Sequence, residues 1–213
     1  LGTPLKIVHV GHSFGTYLTN ALIAATPALS DAAILTGTAY CQSSGPFLEA
    51  FGLRITTELA PGRWHGRDNG YLTWVDIFAN AATFYYPNSY YKEVLWYTEN
   101  VKQPLAAIEL LTIGALRFNA SNFAGPVIVS SDLQIVIKKE THCHQVISGE
   151  FDLDVCGGDC RGLLDQITKE AYFPNSKDYQ GIVHPGVGHG INFSYNATGA
   201  YGVMLDYLKK HGL

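Results

Sequence analysis

The sequence predicts an α/β chain, a mostly parallel sheet flanked by helices and carrying a helical or irregular insertion. Three observations predict it. Two short β-branched runs bracket a stretch with helical periodicity near the start of the chain. A glycine-flanked serine stands where the first run gives way to that helix. An amphipathic segment, basic at its end, closes the chain. A strand–helix–strand order of this kind is the sign of a parallel sheet with helical crossovers.

Taken in order, Leu5 to Val10 is an apolar run that predicts a buried parallel strand. From Phe14 to about Ala25, the residues Tyr17, Leu18, Ala21, Leu22 and Ala25 recur at helical spacing, and Pro27 ends the pattern. Asp31 to Thr36 predicts the next strand, stopped by Gly37. The texture then changes. All three tryptophans (Trp64, Trp74, Trp96) and the pairs Tyr85-Tyr86 and Tyr90-Tyr91 fall between Ala39 and Pro104, a stretch without strand rhythm. Either it packs as ordinary structure over the sheet, or it forms a lid that lines a substrate pocket. The expected division is therefore 1–38 for the first strand, helix and next strand, 39–104 for the lid-like insertion, and 105–213 for the rest of the core. Leu105 to Leu116 reads as a returning helix. Pro126 to Val129 begins another strand, Ile182-Val183 is a shorter one, and Tyr201 to Lys210 is the closing helix, with lysines where the helix dipole prefers them.

Composition excludes several classes. The 213 residues are 47% hydrophobic and only 15% charged, which supports a large core and argues against disorder. The net charge of −4 comes without a basic stripe, so nucleic acid is not an expected partner. No apolar run approaches the length of a membrane span. Four cysteines are too few for a disulfide scaffold, and Cys156 and Cys160, on either side of Gly-Gly-Asp, are a poor zinc signal but fit a small bridged loop. Three glycosylation sequons begin at Asn119, Asn192 and Asn196. With a disulfide they favour a secreted parent protein. The chain opens Leu1-Gly2-Thr3-Pro4 with no initiator Met or signal peptide, and is read as a piece whose true N-terminus lies upstream.

The chemistry centres on Gly11-His-Ser13-Phe-Gly15. A strand that turns sharply into a helix forces the central serine into a strained backbone conformation, and glycines on either side leave room for the two elements to approach. The helix N-terminus aims backbone N–H groups at the place where a negative oxygen forms. The N–H of Phe14 is the predicted oxyanion donor. A serine hydroxyl is a weak nucleophile at neutral pH and needs a base. Of eight histidines, His189 is the best placed, in the glycine-rich "HPGVGHGINF" between a late strand and the final helix. His184 is the runner-up. His9 and His12 flank the serine, but the residue before such a nucleophile points away from it. His65, His142, His144 and His211 have no supporting context. The carboxylate that orients the base is expected after the penultimate strand, where "VISGEFDLDV" offers Asp152, with Asp154 and Asp132 as competitors.

The pieces "VHVGHSFG", "ILTG", "GPV", "GEFDLDVCGGDC" and "GVGHGINFSY" resemble the α/β-hydrolase superfamily, specifically the fungal secreted α/β-hydrolases of the AB hydrolase-1 type. The resemblance runs from near the start to near the end of the chain and is weakest in the insertion. It implies the α/β-hydrolase fold, represented by its C-terminal part. It also implies Ser13 as nucleophile, Asp152 as acid and His189 as base, and no cofactor or metal. The expected function is a serine hydrolase acting on a small-molecule ester or related acyl substrate through an acyl-enzyme. Relatives that use a carboxylate at the elbow, such as dehalogenases and epoxide hydrolases, are disfavoured by Ser13. A cofactor-free haloperoxidase or a peptidase for small N-terminal residues would keep the same three residues. The rival is a truncated or mis-spliced, non-catalytic product.

Two departures accompany the resemblance. In such folds several strands precede the elbow strand, and a second oxyanion N–H comes from a loop after the third of them. Here the elbow strand opens the chain. Loss of one oxyanion donor lowers rates by roughly 10²–10³, so these residues alone are expected to fold poorly and show little activity, with an open sheet edge. The second departure is the segment Val129–Gln145. Its excision joins "GPVI" to "VISGEFD" and restores the family pattern, so it is read either as a retained intron or as a surface hairpin. Cys143, His142 and His144 lie in it and receive no metal role.

Overall fold

The structure, a computed structural model, describes residues 4–40, 51–129, 144–145, 149–162 and 166–213. Strand β1 (Val8–His12) leads through a tight turn into helix α1 (Phe14–Ala25), and the chain returns in β2 (Ala32–Thr36). The helix takes the interval its periodicity predicts, and it stops at Thr26-Pro27, where a 3₁₀ turn covers Pro27–Leu29. β1 and β2 run parallel in the register Val8↔Ala32 to His12↔Thr36. That register sets the Thr36 carbonyl against the turn, where it accepts the Ser13 N–H at 2.8 Å.

Beyond β2 come β3 (Ala39–Tyr40) and then β4 (Leu53–Ile55), the short helices α2 (Thr56–Leu59) and α3 (Pro61–Trp64), β5 (Tyr71–Trp74), α4 (Ile77–Phe84) and α5 (Lys92–Val101), with β6 (Leu105–Ala106) and α6 (Ala107–Thr112) following. The expectation of a stretch without strands is corrected here: β4, β5 and β6 form an antiparallel sheet in that order. Strands of two to four residues are too short for alternation to stand out, and a buried threonine, Thr73, occupies an inward position. The expected helix from Leu105 therefore begins only at Ala107 and gives way to a 3₁₀ turn at Ile113–Ala115. Helix α4 is capped by Asp76, whose carboxylate accepts the N–H groups of Phe78 and Ala79 at 2.9 Å each.

The core sheet is completed by β7 (Val127–Val129) and, after β8 (His144–Gln145), α7 (Leu153–Cys156) and α8 (Gln166–Tyr172), by β9 (Tyr179–Gln180). Its order is β1-β2-β7-β9, and every pairing is parallel. The late strand expected at Ile182-Val183 pairs three residues earlier, at Tyr179–Gln180. Ile182 and Val183 are packed into the core but lie outside the described ladder, which at that level continues among the described residues as a bridge between Gly149 and His184. β3 and β8 pair antiparallel.

All five residues of β2 are buried, as a central parallel strand requires. Ala33 and Leu35 face a cluster with Ile23 of α1, Phe123 and Phe173, and Ile34 packs on Tyr207 of the closing helix α9 (Ala197–Lys210). That helix is fastened by the Tyr207 hydroxyl, which donates to the Asp178 carbonyl at 2.9 Å, and by Lys210 on the Asp178 carboxylate at 2.8 Å. The prediction of a buried first strand is corrected: among the described residues β1 pairs with β2 alone, and Val10 is 61% exposed. A strand with one neighbour leaves part of its apolar surface uncovered. Among the described residues no helix is long and apolar enough to cross a membrane. Cys41, Cys143, Asp132 and His142, and most of Val129–Gln145, lie outside the described residues.

Candidate active site

Ser13 occupies the turn between β1 and α1 with φ 54° and ψ −125°, a region that non-glycine residues rarely enter. The close approach of strand and helix explains Gly11, since a Cβ there would stand 2.5 Å from the Gly15 carbonyl oxygen and 2.6 Å from Thr16 Cα. Gly15 is different: a Cβ there meets nothing within 4 Å, so the steric demand falls on the first glycine. Ser13 is also the N-cap of α1, yet its side chain makes no capping hydrogen bond. The hydroxyl turns instead to His189, with Oγ 2.8 Å from Nε2.

His189 is completely buried at the side chain, and its Nδ1 lies 2.8 Å from Asp152 Oδ2. A carboxylate only accepts, so Nδ1 carries a proton, and whenever the ring is neutral Nε2 faces the serine hydroxyl as an acceptor. Asp152 is itself fixed as the N-cap of α7, where its Oδ1 accepts the Val155 N–H at 3.1 Å. The acid turn and the histidine loop are laced together. Glu150 N–H donates to the His184 carbonyl, Phe151 N–H to the Val187 carbonyl, and Gly186 N–H to the Glu150 carboxylate. Gly149 has no room for a Cβ against the Gly188 carbonyl. The disulfide Cys156–Cys160 closes the loop that follows α7. His184 lies apart from the serine, its Nε2 2.8 Å from the Asn196 carbonyl.

Three features were not read from the sequence. The first is a threonine brace. Thr36 Oγ1 donates to the Gly11 carbonyl at 3.0 Å, and Thr16 Oγ1 both donates to the Thr36 carbonyl and accepts the Thr36 N–H. The second is His12, expected to point away. Its ring lies 5.1 Å from that of His189, and its Nδ1 is 2.9 Å from Thr36 Oγ1. Because the Thr36 hydroxyl proton goes to Gly11, His12 Nδ1 must be the donor. Burial, reinforced by the neighbouring His189, lowers its pKa to about 4, so this imidazole is neutral. The third is Asp154, which competed with Asp152 for the orienting role and takes another place: its Oδ2 stands 3.0 Å from His189 Nε2, on the serine side of the ring. Burial lowers the His189 pKa, but the charges of Asp152 and Asp154 outweigh it and the net value rises to about 9. Burial pushes Asp154 up to about 7.

The aromatic-rich stretch reaches this site directly. Phe84 at the end of α4 stacks on His189 with centroids 5.9 Å apart, and its carbonyl accepts the Gly190 N–H at 2.7 Å. A Cβ at Gly188 would stand 2.9 Å from the Tyr85 carbonyl carbon and the Tyr86 nitrogen. Tyr86 stacks on Phe151 of the acid turn at 3.9 Å. Two of these rings line a cavity of about 340 Å³, formed by Tyr85, Tyr86, Tyr90, Phe151 and Leu153 among others, and neither Ser13 nor His189 borders it. Among the described residues no group of His, Cys, Asp and Glu side chains is arranged to hold a metal ion.

By sequence, no protein-family model and no curated protein matches the chain. By structure, it is similar to a methylesterase from Arabidopsis, with a TM-score of 0.53 and 14% identity over 98% of this chain and 72% of that one. An α/β-hydrolase fold protein from Chitinophaga pinensis aligns at a TM-score of 0.44 and 12% identity, over 91% of this chain and 62% of that one. The chain therefore has the α/β-hydrolase fold.

Proposed function

We propose that the chain is a serine hydrolase acting on an ester or related acyl substrate. The observation that carries this reading is the line of contacts from Ser13 Oγ to His189 Nε2 and from His189 Nδ1 to Asp152 Oδ2, each 2.8 Å. In the mechanism, Ser13 Oγ attacks the carbonyl carbon and its proton passes to His189 Nε2. Asp152 holds the ring in the correct tautomer and stabilises the imidazolium. The developing oxyanion faces the helix N-terminus, where the Phe14 N–H, at the first position of α1, has no intrahelical acceptor. The imidazolium then protonates the leaving group, and a water activated by the same nitrogen releases the acyl group.

The stretch 39–104, continued by β6, acts in this reading as a cover over the imidazole, set between the core portions 1–38 and 105–213. The Cys156–Cys160 disulfide and the exposed sequon residues Asn119, Asn192 and Asn196 support a secreted parent protein. Labelling with a fluorophosphonate probe tests the function. Ser13 of the full chain is expected to be modified and Ser13→Ala to give no label. An Asp152→Asn variant should label slower by about 10⁴, the order of loss that follows when the orienting carboxylate of such a triad becomes an amide. A folded chain that takes no label at Ser13 under any condition rejects the proposal.

A further inference from the structure

His189 Nε2 has two neighbours where the proposed mechanism uses one. Ser13 Oγ is 2.8 Å away and Asp154 Oδ2 is 3.0 Å away. The nitrogen has a single in-plane position for either a proton or a lone pair. A neutral ring accepts from the serine hydroxyl, whereas a protonated ring donates to the carboxylate. Asp154 has little else to compensate its charge: its side chain is 9% exposed, and its other oxygen, Oδ1, is buried and makes no hydrogen bond. A buried carboxylate with one oxygen unpartnered gains its main electrostatic compensation from the imidazolium.

We propose that Asp154 is a positioning residue that competes with Ser13 for His189 Nε2, so that the serine becomes a nucleophile only when this second carboxylate releases the imidazole. This rests on the serine-hydrolase reading and adds a brake to it. In the held state Nδ1–H faces Asp152 and Nε2–H faces Asp154, and the ring has no lone pair for the serine proton. Release is the loss of the Nε2 proton to water. The vacated nitrogen then accepts from Ser13 Oγ, and the catalytic cycle begins from a neutral ring.

Asp154, pushed up to about 7 by burial, is ionised across the alkaline range in which the ring loses its proton, and the other groups around the imidazole do not titrate in its place. His12 is neutral down to about pH 4 and hydrogen-bonded to Thr36, and Phe84 on the neighbouring face carries no charge. Helix α4, packed against the acid turn, has no ionisable residue in Ile77–Phe84. Arg161 pairs with Asp159 and Glu150.

The test is the rate of fluorophosphonate labelling of the full chain from about pH 5 to about pH 10, alongside NMR titration of the His189 ring assigned with His189→Gln. Wild type should label with an alkaline midpoint. Asp154→Asn should move the midpoint down by at least about one unit, raising the rate at pH 7 about tenfold with the alkaline plateau unchanged. Asp154→Glu should keep the alkaline midpoint. A midpoint equal in Asp154→Asn and wild type overturns the proposal, even if the variant melts earlier. If the wild type takes no label at any pH, the hydrolase reading fails. The ring titration then decides the present inference alone: a lowered midpoint in Asp154→Asn upholds it and an unmoved one rejects it. Asp154→Ser repeats the test should the Asn variant not fold.

Discussion

Ser13→Gly should yield a more stable protein than Ser13→Ala. The reason lies in the backbone at the turn, where φ is 54° and ψ is −125°. A side chain held in such a region costs about 1–3 kcal/mol, and glycine relieves that cost. Both variants lose the hydroxyl contact with His189, and neither loses a helix cap, because the serine makes none. Their difference therefore isolates the strain. Glycine gives back about 0.4–1 kcal/mol through the greater freedom of its unfolded chain, which leaves a net advantage centred on about 1.3 kcal/mol. For a chain of this size that is roughly 3–5 °C in melting temperature. The assay is thermal unfolding followed by circular dichroism, checked by urea titration. A Ser13→Gly protein no more stable than Ser13→Ala refutes the reasoning, since the turn would then store no strain.

Other outcomes follow from the same geometry. Gly11→Ala drives a Cβ into the backbone of Gly15 and Thr16 and should destabilise by about 1–3 kcal/mol, while Gly15→Ala, with open space around it, should stay within about 0.5 kcal/mol of wild type; paired urea titrations separate the two. Reduction of Cys156–Cys160 should lower stability by about 2 kcal/mol, the loop-closure value for so short a ring, and slow labelling of Ser13, because the ring follows directly on the helix that Asp152 caps. Melting curves and probe labelling with and without dithiothreitol check both.

What could be read in advance was whatever a short window of sequence encodes. The turn at Ser13, the extent of α1 and the place of β2 follow from glycines, helical spacing and a β-branched run, all within thirty residues. Ser13, His189 and Asp152 were singled out by flanking glycines and chain order, and the structure brings their side chains together. The misses are non-local. The strands β4 to β6 are too short to show a period, and they exist because they pair with one another. Ile182 and Val183 announce burial, which their apolarity dictates, but the ladder register is set by Val127 opposite Tyr179. Asp154 was weighed as a rival for one nitrogen of His189 and stands at the other, because Asp152 at the cap and Asp154 in the first turn of α7 project to different sides of one ring. The contacts of His12 could not be read either, because its direction depends on Thr36, a partner from the neighbouring strand.

The contact of Gly188 and Gly190 with the backbone of Phe84–Tyr86 has a bearing on how such proteins diverge. Specificity in many enzymes drifts by exchange of a peripheral module while the reacting groups stay put. Here the peripheral piece and His189, the proton carrier of the proposed mechanism, share one seam. A graft that replaced residues near Phe84 with a bulkier or shifted chain would pull the imidazole off its alignment, so under the proposed hydrolase function new substrate preferences should arise by point changes in the aromatic side chains before they arise by swapping the whole segment.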